Sequence, residues 1–165
     1  MLETVKINEF KVEKASESIW DDILSLLKDT RLNQWFTGKE TYKDFFAIYN
    51  SNNELISCFA INKNKDIGIL KSFAIKSSIQ KKGVGSYIAN TLIPKVAKEL
   101  NIKKLYLLGG NKAPFTSLHF WEKTHYKQID ENKFVDQYFQ EYLDNIKDKY
   151  PEHFFREAAF ELNIN

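Results

Sequence analysis

Cysteine, methionine, proline and glycine are scarce in this sequence: one, one, three and six among 165 residues. A single cysteine excludes an internal disulfide, and Cys58 stands in the apolar stretch Leu55-Ile56-Ser57-Cys58-Phe59-Ala60-Ile61, where packing is its ordinary use and nucleophilic attack the rarer one. A reducing compartment is expected. Charge of one sign is also missing: the net charge is +2, with lysines dispersed among nearly as many acids, so no extended basic face for nucleic acid is expected. No apolar run reaches the roughly 20 residues of a membrane span, and Met1 to Phe10 mixes Glu3, Lys6 and Glu9 with apolar residues, unlike a secretory leader. The expected location is cytoplasmic, with no membrane partner and no metal site. No repeat, linker or low-complexity tract interrupts the chain, so 1–165 reads as one domain.

What is present is the balance of a globular chain, 43% hydrophobic and 28% charged, with aromatics at 15% that suit a ligand cleft as well as a core and are expected mostly in the core. Val5, Ile7 and Phe10 suggest a first strand. Ser16 stands as a helix N-cap ahead of Ile19, Trp20, Ile23, Leu24 and Leu27 at helical spacing. Residues 31–42, with Trp35, Phe36 and Gly38, read as a short second helix and loop. Asp44 to Tyr49, Glu54 to Ile61 and Ile67 to Ile75 then form an antiparallel meander, separated by turn-prone asparagine-rich segments.

From Gly85 the period changes. Ile88, Leu92, Val96 and Leu100 predict a helix, in which Pro94 removes the amide bond to the Asn90 carbonyl and predicts a kink or local break. Leu105 to Leu108, ending in Gly109-Gly110, reads as a strand buried on both faces, which makes this unit a parallel crossover. Pro114 opens a helix reaching about Lys123. A strand over Tyr126 to Ile129, a helix over 133–148 and a closing strand with Phe160, Leu162 and Ile164 complete the plan.

The chemistry is concentrated after Leu70-Lys71-Ser72-Phe73-Ala74-Ile75, where Gln80-Lys81-Lys82-Gly83-Val84-Gly85-Ser86 leads straight into a helix. A strand, a glycine-spaced loop and a helix start together aim several amides out of one helix terminus, which suits an anion such as a diphosphate. A dinucleotide fold would place its glycine loop after the first strand and use a third glycine. A triphosphate loop ends Gly-Lys-Ser/Thr, and here Val84-Gly85-Ser86 carries no lysine.

The pattern Gln/Arg-x-x-Gly-x-Gly/Ala met by Gln80 to Gly85, with the order of elements, resembles the GNAT superfamily of acyl-coenzyme A-dependent N-acetyltransferases. The resemblance covers most of the chain and is strongest from Ile67 to Tyr126. It implies an α/β (α+β) fold, with a mixed, mostly antiparallel central sheet, one parallel strand-helix-strand crossover and flanking helices, to which the helix near the C-terminus is an addition. It implies acetyl-coenzyme A as cofactor, held at its arm by Phe73, Ala74 and Ile75 and at its phosphates by Gln80, Lys81, Lys82, Gly83, Val84, Gly85 and Ser86. The two lysines are equally readable as solvated surface. The implied reaction is direct attack of a neutral primary amine, on a small molecule or at a protein N-terminus or lysine, on the thioester.

Departures lie in the later helix, where the family reads Asn-x-x-Ala-x-x-x-Tyr and ends in Gly-Phe. Here Pro114, Ser117, Trp121 and His125 stand at the asparagine, alanine, tyrosine and glycine positions. Trp121 cannot replace a phenol as proton donor, because an indole has no accessible proton equilibrium. On a helix, residues four apart share a face, which sets Ser117 and His125 beside Trp121 and makes His125 the candidate acid, since an imidazole is the ordinary side chain for such a role. A surface histidine at a helix end is its plainer reading, and His119 and His153 read as structural or exposed. Many relatives carry a glutamate on the fourth strand as base. Gly68 to Ser72 holds no acid, leaving a water relay, Asp44 or Glu54.

The helix at 133–148 either covers the acceptor cleft or only adds packing, and its acids Asp136, Glu141, Asp144 and Asp148 either attract a cationic amine or form a solvated face. With the last strand it is also a candidate homodimer seam. Two rivals remain beside the enzyme: a coenzyme A-binding sensor or interaction module without catalysis, and an unrelated α+β domain with a structural glycine turn.

Overall fold

A computed structural model describes residues 9–32, 40–80, 83–109, 117–130, 133–149 and 158–165. Seven strands form one sheet in the order β1-β2-β3-β4-β5-β7-β6, antiparallel between β1 and β2, β2 and β3, β5 and β7, and β7 and β6, and parallel between β4 and β5, and helices flank it. The expected mixed, mostly antiparallel sheet with one parallel crossover is therefore the observed fold. Packing divides the chain into two compact units, Met1–Asn62 with Leu70–Ile88, and Lys63–Ile69 with Ala89–Asn165. Among the described residues no helix is long and apolar enough to cross a membrane.

In the first unit β1 (Lys11–Lys14) pairs antiparallel with β2 (Phe45–Tyr49), which pairs antiparallel with β3 (Leu55–Asn64). The expected first strand does not coincide with β1. Val5 and Ile7 lie outside the described residues, and the observed strand, Lys-Val-Glu-Lys, has one apolar side chain. Its partner β2, rather than its own alternation, makes it a strand. A 3-10 turn, Glu17–Ile19, follows Ser16, and α1 (Trp20–Asp29) turns Ile23, Leu26 and Leu27 inward. They pack on Phe45, Ala47, Cys58, Ala60 and Ala74, and full burial of each large aliphatic chain is worth about 1.5–3 kcal/mol. The 31–42 expectation falls mostly outside the described residues; what is described is a 3-10 turn, Tyr42–Asp44, capped by the Thr41 hydroxyl, which delays the second strand to Phe45. β3 runs past Ile61 to Asn64, because a tight turn with left-handed Lys65 (φ 55°) connects it to β4 (Ile67–Ile75).

In the second unit Ile67, Gly68 and Ile69 of β4 lie parallel to Lys104, Leu105 and Tyr106 of β5 (Lys104–Leu108). β7 (Ala159–Asn163) is inserted antiparallel between β5 and β6 (Lys127–Gln128). A Cβ on Gly68 would stand 2.8 Å from Ile102 Cδ1 and 2.9 Å from Leu105 Cδ2, so the glycine is there for space. Gly68→Val is expected to cost ~1–3 kcal/mol by overpacking, read as a lower denaturant midpoint at unchanged m-value.

The long helix after the glycine loop begins as α2 (Val84–Tyr87), widens to a π-turn over Ile88–Leu92 and continues as α3 (Ile93–Glu99). The expected distortion at Pro94 is this π-turn: a ring that cannot accommodate the carbonyl four residues back is tolerated when the preceding turn widens. α4 (Leu118–Glu122) is followed by β6, and α5 (Gln137–Lys149) lies between β6 and β7 in sequence. α5 buries Phe139 and Leu143 against Ile69, Tyr106, Ile129 and Ala159, and Phe139 stacks on Tyr106 at 4.5 Å. It starts four residues later than expected because Asp136 is used as a cap, its Oδ1 accepting from Tyr138 N at 2.8 Å. Buried Glu161 of β7 is bridged by Lys133, with Lys104 at 3.7 Å.

Candidate functional site

In the first unit, β4 delivers Phe73, Ala74 and Ile75 to the strand's end, where Ala74 is buried and its two neighbours are half-buried. The strand is not regular. Ser72 has φ 53°, a left-handed conformation that strains a residue with a side chain and bends the strand just before these three. A 3-10 turn, Ser77–Ile79, then leads to Gln80, whose Nε2 donates to Ile75 O at 2.8 Å. Lys81 and Lys82 lie outside the described residues.

Gly83 is the N-cap of α2, with φ 78° and ψ −2°. Among the described residues beyond its chain neighbours no heavy atom lies within 4 Å of where its Cβ would be, so conformation, not crowding, calls for glycine here. The first bond into this helix is Tyr87 N to Gly83 O at 3.2 Å. Ahead of it the amides of Val84, Gly85 and Ser86 have no carbonyl within the helix to reach, and Gly83 brings no side chain to cap them. Val84 is buried and anchors the turn, while Gly85 and Ser86 are half-buried beside it. Three convergent donors at the positive end of a helix fit a diphosphate.

In the second unit the sites proposed for proton transfer are distributed differently from the helical expectation. Ser117 is the N-cap of α4, its carbonyl accepting from Trp121 N at 3.1 Å. The helix ends at Glu122, because Thr124 turns back and donates its hydroxyl to Trp121 O at 2.6 Å. His125 is therefore beyond the helix, and the argument from a shared helical face does not reach it. Its ring is exposed, and its backbone N–H donates to Asn90 Oδ1 at 2.8 Å. Trp121 is buried, edge-on to Phe120 and Tyr126 at 4.9 and 5.0 Å. Its Cδ1 would be 3.1 Å from a Cβ on Gly109, and Ser117 Oγ 3.6 Å, so the indole lies against the end of β5. Pro114 and His153 lie outside the described residues. His119, exposed, contacts Glu122 at 3.3 Å.

Titration separates the buried groups. Burial pushes the Cys58 thiol up to about 12, against a weaker opposite effect of the Ala74 backbone. A thiol raised in the folded state stabilises it fully below the ordinary thiol range, and that contribution is lost as pH climbs through the folded value. Stability is thus expected to fall between about pH 8.5 and 12, by up to ~1.4 kcal/mol per pH unit from this group, and Cys58→Ala should flatten that part of a melting-temperature profile. Burial likewise raises Tyr126, whose hydroxyl has no hydrogen-bond partner among the described residues. Lys71, one residue before the strand bend, is pushed down by burial, opposed by the carboxylates of Glu40 and Asp44. Sequence reading passed over Lys71 because it sought an acid there. Glu54, the other candidate base, accepts from Asn50 Nδ2 at 3.1 Å in the turn before β3.

A strand carrying left-handed Ser72, followed by a helix start opened by left-handed Gly83, is the backbone arrangement that the described residues present. The chain belongs to the acetyltransferase (GNAT) family, whose profile matches residues 11–126. Acetyl-coenzyme A is the cofactor of that family. None of the curated proteins matches the chain in sequence. Among solved structures it is similar to N-acetylglutamate synthase from Neisseria gonorrhoeae complexed with coenzyme A and N-acetyl-glutamate, with a TM-score of 0.69 at 14% identity. That match covers 94% of this chain and 35% of the synthase, so the chain spans about a third of that relative's length. A Mycobacterium tuberculosis protein in complex with CoA and NLQ matches at TM-score 0.68 and 16% identity, covering 94% of this chain and 99% of its own. A GNAT-family acetyltransferase from Staphylococcus aureus Mu50 matches at 0.65 and 10%, covering 94% and 99%. At these identities the likeness shows the fold.

Proposed function

We propose that the chain is a single acetyltransferase domain that transfers an acetyl group from acetyl-coenzyme A to a primary amine. Unity of the domain is supported by the interleaving of the two units along the sequence, with β4 contributing to both. The observation that carries the reading is left-handed Gly83 opening a helix whose first amides take no side-chain cap from Gly83. In this reading the amides of Val84, Gly85 and Ser86 hold the diphosphate, Lys81 and Lys82 add charge, and Phe73, Ala74 and Ile75 hold the arm. The coenzyme supplies an acetyl thioester, whose carbonyl carbon accepts the amine.

An alkylamine with a pKa near 10.4 arrives mostly protonated at neutral pH, so its proton must be removed before attack. Asp44, beside Lys71, is the carboxylate best supported for that step. His125 is the proposed donor of the proton that returns to the sulfur, with Ser117 Oγ as the second candidate. The synthase's name makes free amino acids the first acceptors to test, followed by polyamines and peptide N-termini. A single cysteine, which can form no disulfide within the chain, supports action in the cytoplasm. A homodimer seam would have to use the charged outer face of α5, because β7 is paired on both edges.

The test is thiol release from acetyl-coenzyme A over an amine panel. Release that depends on both amine and protein is the expected result. Tight coenzyme binding with no release on any amine would instead make the chain a sensor.

A further inference from the structure

We infer that Ser57 is a positioning residue for the acyl donor: its hydroxyl fixes the Ala74 carbonyl and thereby aims the Ile75 amide at the arm, with Gln80 holding the same segment to the phosphate loop. The inference rests on the coenzyme reading of β4.

Ser57 is fully buried in the middle of the apolar run of β3, where a hydroxyl is costly unless it is paired. It is paired: Oγ donates to Ala74 O at 2.7 Å. One residue along, Cys58 Sγ lies 3.9 Å from Ser72 O as a weaker donor. From the loop, Gln80 Nε2 donates to Ile75 O at 2.8 Å, and Lys76 N donates to Ile56 O at 2.8 Å. The carbonyls of Ser72, Ala74 and Ile75 thus each accept a side-chain donor from outside β4. That is unusual for a strand, whose carbonyls ordinarily answer to neighbouring backbone alone.

Peptide planarity turns these contacts into aim. In a trans peptide the N–H points opposite to the carbonyl of the preceding residue. Fixing Ala74 O toward Ser57 on β3 fixes the Ile75 N–H away from β3, and fixing Ser72 O toward Cys58 does the same for Phe73. Left-handed Ser72 makes this necessary, since a strained residue keeps its conformation only where its surroundings over-determine it. Ser57 and Gln80 supply that constraint without a ligand, so the segment is set before the coenzyme arrives.

The experiment compares wild type, Ser57→Ala and Ser57→Thr by calorimetric titration with coenzyme A and with ADP, which carries the diphosphate but no arm. Hydrogen exchange at Ile75 is followed in the free proteins. Ser57→Ala is expected to weaken coenzyme A about tenfold, the scale of one hydrogen bond, and to leave ADP within about twofold. It should also speed exchange at Ile75, while Ser57→Thr, which keeps the hydroxyl, restores both readouts. Equal weakening of both ligands, or unchanged coenzyme A affinity in Ser57→Ala, overturns the positioning role and leaves the coenzyme site standing. A wild-type protein that binds neither ligand overturns the site itself, and the inference with it.

Discussion

Gly83→Val is expected to lower coenzyme A affinity by about 10- to 100-fold while leaving most of the fold intact. The backbone at Gly83 has φ 78°, and a β-branched residue held there stores ~1–3 kcal/mol of strain. Among the described residues beyond its chain neighbours nothing stands within 4 Å of the new Cβ, so the strain acts chiefly on the backbone. The loop relieves it by leaving the left-handed region, which turns the first amides of α2 away from the proposed diphosphate; strain of that size corresponds to the affinity loss stated. Gly83→Asn, a residue that tolerates this conformation, should keep most of the affinity. Calorimetric titration of the three proteins decides it. Wild-type affinity in Gly83→Val would remove the glycine cap from the binding site.

The largest stability effect is expected from Phe139→Ala, at ~3–5 kcal/mol, the range for a fully buried aromatic whose cavity cannot collapse. Phe139 is stacked on Tyr106 of β5 at 4.5 Å and on Tyr142 at 6.0 Å, so its removal leaves aromatic faces unpaired on either side. For a chain of this length the melting temperature should drop by about 10 °C or more. Heat unfolding monitored by circular dichroism is sufficient. A drop of a degree or two would mean that α5 is an appendage, whereas the expected drop makes it part of the second unit's core. The same variant bears on the acceptor: a helix that anchors the sheet from beneath needs no substrate to explain its sequence.

How much of this was legible beforehand depended on how local each feature is. The bounds of β4, Ile67–Ile75, follow from its apolar run between two turn signals, and α1 from apolar residues at helical spacing. The glycine cap was legible because a single residue type meets a single backbone need. β1 was not, since Lys-Val-Glu-Lys carries almost no pattern and is a strand only opposite β2. His125 was set on a helix that ends three residues earlier, because the stop comes from a Thr124 hydroxyl bond rather than from a glycine or proline. Lys71 and Ser57 drew no attention, as neither belongs to a motif; the available signal was a polar residue in the interior of an apolar strand.

By itself the sequence determined which segments are strands and helices in most of the chain and where glycine opens a helix, consequences of spacings within a dozen residues, and its motif with the order of elements pointed to the family. Only the tertiary structure decided that β7 slips between β5 and β6, that Ser57 reaches Ala74 across 17 positions, and that Glu161 meets Lys133 across 28. The reason is physical. Periodicity and turn chemistry are written in neighbouring residues, whereas the partner of a buried polar group is chosen by whichever distant segment the folded sheet brings alongside.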